Sequence, residues 1–142
     1  MRKQSRKSRI ESGGKVVLDT SFIIELLDRG RKDLVYLLAE YDEIIIPWIS
    51  LYEYLYGHKV GRKISEEELA ERKRKIESLG IIDYGSQKLI EKALKLELEL
   101  TKKGKKIPFS DLLIAAYALL YNADLATLDK THFEFLKNRL VP

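Results

Sequence analysis

Residues 15–24 read Lys15-Val16-Val17-Leu18-Asp19-Thr20-Ser21-Phe22-Ile23-Ile24, and the fold follows from how that stretch changes character at its middle. Val16, Val17 and Leu18 form an apolar run with no polar alternation, the pattern of a strand buried on both faces. Thr20 and Ser21 are hydroxyl residues of the kind that open helices, and either can cap one running through Leu27. A buried strand feeding straight into a helix is the first half of a parallel crossover unit. Asp19 sits at the junction, where an ionised carboxylate is costly to bury unless it is paired or bound to a cation.

The same alternation continues outward. An amphipathic helix over 32–40 follows the break at Gly30, and Ile44-Ile45-Ile46 between Asp42 and Pro47 predicts a second strand over 43–47. Ser50 is read as opening a helix to about His58. Ser65-Glu66-Glu67-Glu68 is a capping box for a charged helix ending near Leu79. Residues 80–83 give a third short strand, and Ser86 caps a long helix that stops before Gly104. In that segment Leu94, Leu96, Leu98 and Leu100 alternate with charged residues, which is strand periodicity. The alternating stretch 94–100 lacks β-branched residues and the segment is rich in Leu, Lys, Glu and Ala, so helix prevails. Ser110 is read as capping a helix from Asp111 to about Tyr121. Asp124 to Thr127 is a fourth strand, Thr131 with Glu134 boxes a short helix, and Leu140-Val141 offers a last strand. The expected fold class is α/β, a three-layer sandwich with a central parallel sheet of four to five strands.

Composition narrows the function. Arg2, Lys3, Arg6, Lys7 and Arg9 against Glu11 give residues 1–14 the whole of the chain's +4 charge and leave residues 15–142 formally neutral. Residues 1–14 therefore read as a disordered basic tail, able to follow a phosphate backbone, and 15–142 as one domain. The longest apolar run, 112–121, is half of the ~20 residues a membrane-spanning helix needs, and no signal segment follows the basic start. No membrane association is expected, and a cytoplasmic location is the default. With no cysteine, disulfides, thiolate metal sites and a cysteine nucleophile are excluded.

Four acids stand where a strand ends or a helix begins, each in apolar surroundings: Asp19, Glu53 in PWISLYEYLYG, Asp111 in PFSDLLIAAYALL and Asp129 in LATLDKTHF. Each has an ordinary alternative. Glu53 fits the third position of a capping box begun by Ser50, Asp111 suits the positive end of a helix, and Asp129 could be a turn residue before Thr131. Together they point further, because strand C-termini share one edge of a parallel sheet and ligands bind there. Two like charges ~4 Å apart repel by about 4 kcal/mol at an effective dielectric of 20. Magnesium or manganese, which take oxygen ligands, would relieve that, so the expected chemistry is metal-dependent phosphodiester cleavage. Asp124 precedes its strand and is expected at the opposite edge. His58 and His132 have no metal-ligand spacing and are read as surface residues. Tyr36, Tyr52, Tyr54 and Tyr56 are read as packing residues. No glycine-rich phosphate loop or nucleophile elbow is present.

With LDTSFII, SLYEYLYG, FSDLLIAAYAL and LATLDKTHF in this order, the chain resembles the PIN-domain nucleases, in particular the small single-domain VapC-toxin type. The resemblance spans residues 15–136. It implies that Asp19, Glu53, Asp111 and Asp129 form a catalytic, metal-binding quartet for one or two Mg²⁺ or Mn²⁺ ions, with Thr20 or Ser21 in a supporting role. It implies hydrolysis of single-stranded or structured RNA to 5′-phosphate and 3′-hydroxyl ends. Arg2, Lys3, Arg6, Lys7 and Arg9 are the candidate RNA contacts of the tail. The partners implied are a second copy of the chain and a small antitoxin protein. A housekeeping RNA-processing nuclease, as in ribosomal RNA maturation, and a catalytically idle RNA-binding module are the alternatives.

Overall fold

The computed structural model describes residues 14–142; Arg2, Lys3, Arg6, Lys7 and Arg9 lie outside them. Five strands, β1 (Lys15–Leu18), β2 (Glu43–Pro47), β3 (Ile81–Asp83), β4 (Asp124–Ala126) and β5 (Leu140–Val141), form one sheet. Their order is β3-β2-β1-β4-β5, and all four pairings are parallel. The central strand is thus the one whose sequence ends at Asp19.

Alternate side chains of the strands enter two separate cores, as the pleat requires. Val17, Ile45 and Leu125 face α5 (Gln87–Lys102) and α6 (Phe109–Leu120). Val16, Leu18, Ile46 and Ala126 face α1 (Thr20–Asp28), α2 (Lys32–Leu38), α3 (Trp48–Tyr56) and α4 (Glu66–Leu79). Burial on both sides explains why β1 reads as a continuous apolar run, and each filled Val or Leu contributes about 1.5–3 kcal/mol. The three-layer α/β/α expectation is met. The leucine alternation in α5 resolves by helical geometry: Leu89, Ala93, Leu96 and Leu100 are buried, while Leu94 and Leu98 are exposed. Gly80 carries β3 against β2, since a Cβ there would lie 2.4 Å from the Ile44 carbonyl oxygen.

Four caps differ from the sequence reading. Thr20 and Ser21 lie inside α1, whose cap position is taken by Asp19 without a side-chain cap bond. α3 begins at Trp48 and α6 at Phe109, so Ser50 and Ser110 lie inside their helices. The residues before them, Pro47 and Pro108, occupy the cap positions with φ near that which the pyrrolidine ring imposes. The Pro108 carbonyl then accepts the first helical bond from Leu112. Thr131 does not open a helix either; a 3₁₀ segment, Glu134–Arg139, starts three residues later. α3 continues into a wider π turn at Gly57–Gly61.

Candidate active site

In a parallel sheet every strand delivers its C-terminus to one edge. Asp19 leaves β1 there and caps α1 with its backbone carbonyl, which accepts from Phe22 and Ile23. The residue is 6% exposed, and its carboxylate is held by two hydroxyls. Ser21 donates to Oδ2 at 2.8 Å and Thr127, from the residue after β4, donates to the same oxygen at 2.7 Å. Each hydroxyl also accepts a backbone N–H of the β4 turn, Ser21 from Leu128 and Thr127 from Asp129. The turn bearing Asp129 is thereby bolted to Asp19 although 110 positions separate them in the chain. Asp129 itself is exposed, and its Oδ1 accepts a long 3.4 Å bond from the Thr131 N–H, so the turn role foreseen for it is present as well.

Glu53 comes from the middle of α3. Its capping-box alternative is overturned, because the Ser50 hydroxyl points the other way and donates to the Leu18 carbonyl at 2.9 Å. Glu53 Oε1 instead accepts from the Thr20 hydroxyl at 2.7 Å. Thr20 and Ser21 therefore divide the work: one orients Glu53, the other Asp19. Asp111, in the first turn of α6, is half-buried, and His132 Nδ1 lies 2.7 Å from its Oδ2. An ionised carboxylate can only accept, so this contact needs the proton on Nδ1.

Electrostatics tie the first and third acids together. Burial pushes the Asp19 carboxyl above its ordinary value of 3.8; the bonds from Thr127 and Ser21 pull it back, and the facing charge of Asp111 raises it further. Among the described residues no lysine or arginine forms an ion pair with Asp19, Glu53 or Asp129. The donor set is wholly carboxylate and hydroxyl oxygen, which suits Mg²⁺ or Mn²⁺ in type and in charge. It is not preassembled at ligand distances, for among the described residues no three such side chains are grouped to hold an ion.

The stress on Asp19 gives a measurable consequence. A raised carboxyl value in the folded state means that folding favours the protonated form. Stability is therefore fullest below about pH 3.8 and declines as the pH climbs through the folded-state value. Asp19→Asn should raise the melting temperature of the protein in EDTA at pH 7, with the gain shrinking as the pH approaches 4. Thermal melts at several pH values test this; a loss of stability at neutral pH would show that the carboxylate is satisfied as it stands.

Two further residues belong to this edge that the sequence did not single out, Thr127 and His132. His132 is not a free surface residue, and neither is His58, which is 4% exposed and paired with Asp28. Of the four tyrosines read as packing residues only Tyr54 is in the core; Tyr36, Tyr52 and Tyr56 are exposed. A fifth acid, Asp83, ends β3 on the same edge, but it accepts from the Tyr121 hydroxyl and from the Gly85 N–H. That commitment separates it from the quartet. Asp124 opens β4 at the opposite edge, buried and bonded by the Tyr41 hydroxyl at 2.6 Å, as expected.

Residues 16–136 match the sequence model of the PIN domain. The chain is 30% identical over 135 residues to ribonuclease VapC1 of Methanocaldococcus jannaschii, covering 95% of this chain and 90% of that protein. Among solved structures it is similar to VapBC2 from Rickettsia felis, bound to a DNA fragment from its promoter. The TM-score is 0.76 at 27% identity, with 90% and 97% of the two chains covered. VapBC-1 from nontypeable Haemophilus influenzae shares the fold with a TM-score of 0.77 at 22% identity, over 89% and 96% of the chains.

Proposed function

The chain belongs to the PIN domain family, and from that premise we propose that it is a Mg²⁺- or Mn²⁺-dependent endoribonuclease that hydrolyses single-stranded RNA, the toxin of a toxin–antitoxin pair. The observation that carries this reading is the pair of facing acids, Asp19 and Asp111, at the C-terminal edge of the central strand. Burial and the charge of Asp111 raise the Asp19 carboxyl above its ordinary value, and among the described residues neither acid is paired with a lysine or arginine.

Asp19, Asp111 and Asp129 are the residues that would hold the ion, with Glu53 completing the set. A bound divalent ion in such a site supplies a water of lowered pKa and stabilises the leaving oxygen. The chain's own part is positional. Ser21 and Thr127 fix Asp19 and the Asp129 turn as one unit, Thr20 holds Glu53 where it can accept a proton from an attacking water, and His132 fixes one oxygen of Asp111. The products of the reading are 5′-phosphate and 3′-hydroxyl ends.

Assembly belongs to the same proposal. Ile90, Leu94 and Leu98 lie one turn apart on α5 and are 68%, 58% and 55% exposed, an apolar stripe suited to a second copy of the chain. The likeness to VapBC structures supports an antitoxin partner, and the exposed Tyr52–Tyr56 stack on α3 beside Glu53 is an apolar surface for one. No described helix is long and apolar enough to cross a membrane, and a cytoplasmic site of action goes with the reading.

The direct test is incubation with single-stranded and structured RNA, with Mn²⁺ and with EDTA. Cleavage that requires the ion is expected, and undiminished cleavage in excess EDTA refutes the assignment. Binding should also show without RNA, since an ion at one hundred times its dissociation constant adds about 2.7 kcal/mol of stability. A melting temperature indifferent to Mn²⁺ and Mg²⁺ would favour an idle module.

A further inference from the structure

The formal neutrality of residues 15–142 conceals a local imbalance. An open cleft of about 890 Å³ is lined by Lys103, Lys105, Lys130 and Lys137, with Glu134 the only acid among its described lining residues. Lys103 and Lys105 leave the C-terminus of α5, whereas Lys130 and Lys137 come from the segment after β4, so folding brings together cations some 30 residues apart in the chain. Some cations elsewhere are paired with a carboxylate, as in Lys15–Glu43 and Lys59–Glu66. Among the described residues Lys103, Lys105 and Lys137 are exposed and have no carboxylate partner; Lys130 donates to the Pro142 carbonyl oxygen. Like charges left facing one cleft repel each other and favour an anionic occupant.

The cleft adjoins the acidic edge. Lys130 and Thr131, both in its lining, directly follow Asp129, and the next residue, His132, holds Asp111. On the other side Lys105 leads to Phe109, 66% exposed and two residues before Asp111. Phe135 adds a half-buried aromatic to the cleft wall. Cations spaced along a trough with aromatic faces beside them are the arrangement that holds single-stranded nucleic acid.

We propose that this cleft receives the phosphate backbone of a single RNA strand flanking the bond to be cut, and that Phe109 stacks on a base beside Asp111. The proposal rests on the ribonuclease reading above and extends it to the path of the substrate. An acidic polypeptide would be drawn to the same lysines, but it offers no group for the proposed nuclease site at the cleft's end. A phosphodiester at that end is the group on which those acids act.

The test uses the full chain and a labelled single-stranded oligouridylate in EDTA, where binding is read without cleavage. Each lysine–phosphate contact contributes about 0.7 to the slope of log affinity against log salt, so Lys103→Ala, Lys105→Ala and Lys137→Ala together should lower the slope by about 2. Removing the same charge from α4 (Lys73→Ala, Arg74→Ala, Lys75→Ala) should leave it unchanged. Phe109→Ala should weaken affinity by about fivefold or more at an unchanged slope. An unaltered slope in the cleft variant, or an equal fall in the α4 variant, overturns the proposal. So does lysine-dependent binding of polyglutamate without lysine-dependent binding of RNA. Wild-type protein that fails to cleave RNA in Mn²⁺ but keeps the lysine-dependent slope would remove the enzymatic reading and leave the cleft standing.

Discussion

Asp111→Asn is expected to abolish RNA cleavage, lowering kcat/KM by more than about a hundredfold, with the fold intact. Asparagine preserves the shape of the side chain and can still meet His132, but it removes the anionic oxygen proposed for the ion. Losing a residue that merely supports a metal ligand costs about 10- to 100-fold in activity or affinity, and loss of a ligand should exceed that. In energy the expected effect is at least about 2.7 kcal/mol at the transition state. Stability should change far less. A first-turn carboxylate is worth about 0.3–1 kcal/mol to its helix, and against that loss the substitution relieves the repulsion on Asp19. Initial rates in Mn²⁺ alongside thermal melts separate the two effects. A variant that keeps full activity would place the chemistry elsewhere, and one that unfolds would make Asp111 a structural residue.

How much of this site could be read in advance depended on whether the signal was local. Asp19 was legible because it interrupts an apolar run at a strand end, and Asp111 because its neighbours are apolar on both sides. The strands were legible for a related reason: burial on both faces of a parallel sheet leaves unbroken Val and Ile runs. Thr127 and His132 were not legible. A threonine after a strand is ordinary, and nothing near His132 in sequence reveals that folding carries it to Asp111, 21 positions away. The displaced helix starts at Ser50 and Ser110 have a local cause that was available, the prolines before Trp48 and Phe109. Hydroxyl residues two or three positions after a proline are weaker start signals than the proline itself, whose fixed φ presets the turn.

The least legible feature is the buried charge cluster at the end of α1, where Asp28 looks in sequence like one more surface acid. Its side chain is 3% exposed and faces Arg72 Nη1 at 2.7 Å, the Tyr54 hydroxyl at 2.6 Å, His58 Nε2 at 2.9 Å and Arg62 Nη2 at 3.8 Å. Burial, followed by the bond to Asp28, raises Tyr54 to about 12. Oδ2 and His58 Nε2 are buried 2.9 Å apart without a well-aligned hydrogen bond. Removing Asp28 leaves the largely buried Arg72 guanidinium without the carboxylate it faces, which costs about 3–5 kcal/mol. Asp28→Ala should therefore be among the most destabilising single changes, lowering the melting temperature by roughly 10 °C or more for a chain of this size. The loss should be strongly non-additive: Asp28→Ala combined with Arg72→Met removes the stranded guanidinium and should cost less than the sum of the two single changes. Since the cluster ties α1 and α3 to α4, the damage would reach Thr20 and Glu53 through the helices that carry them. If Asp28→Ala melts within a few degrees of the parent chain, water reaches the cluster and its charges are not what holds these helices together.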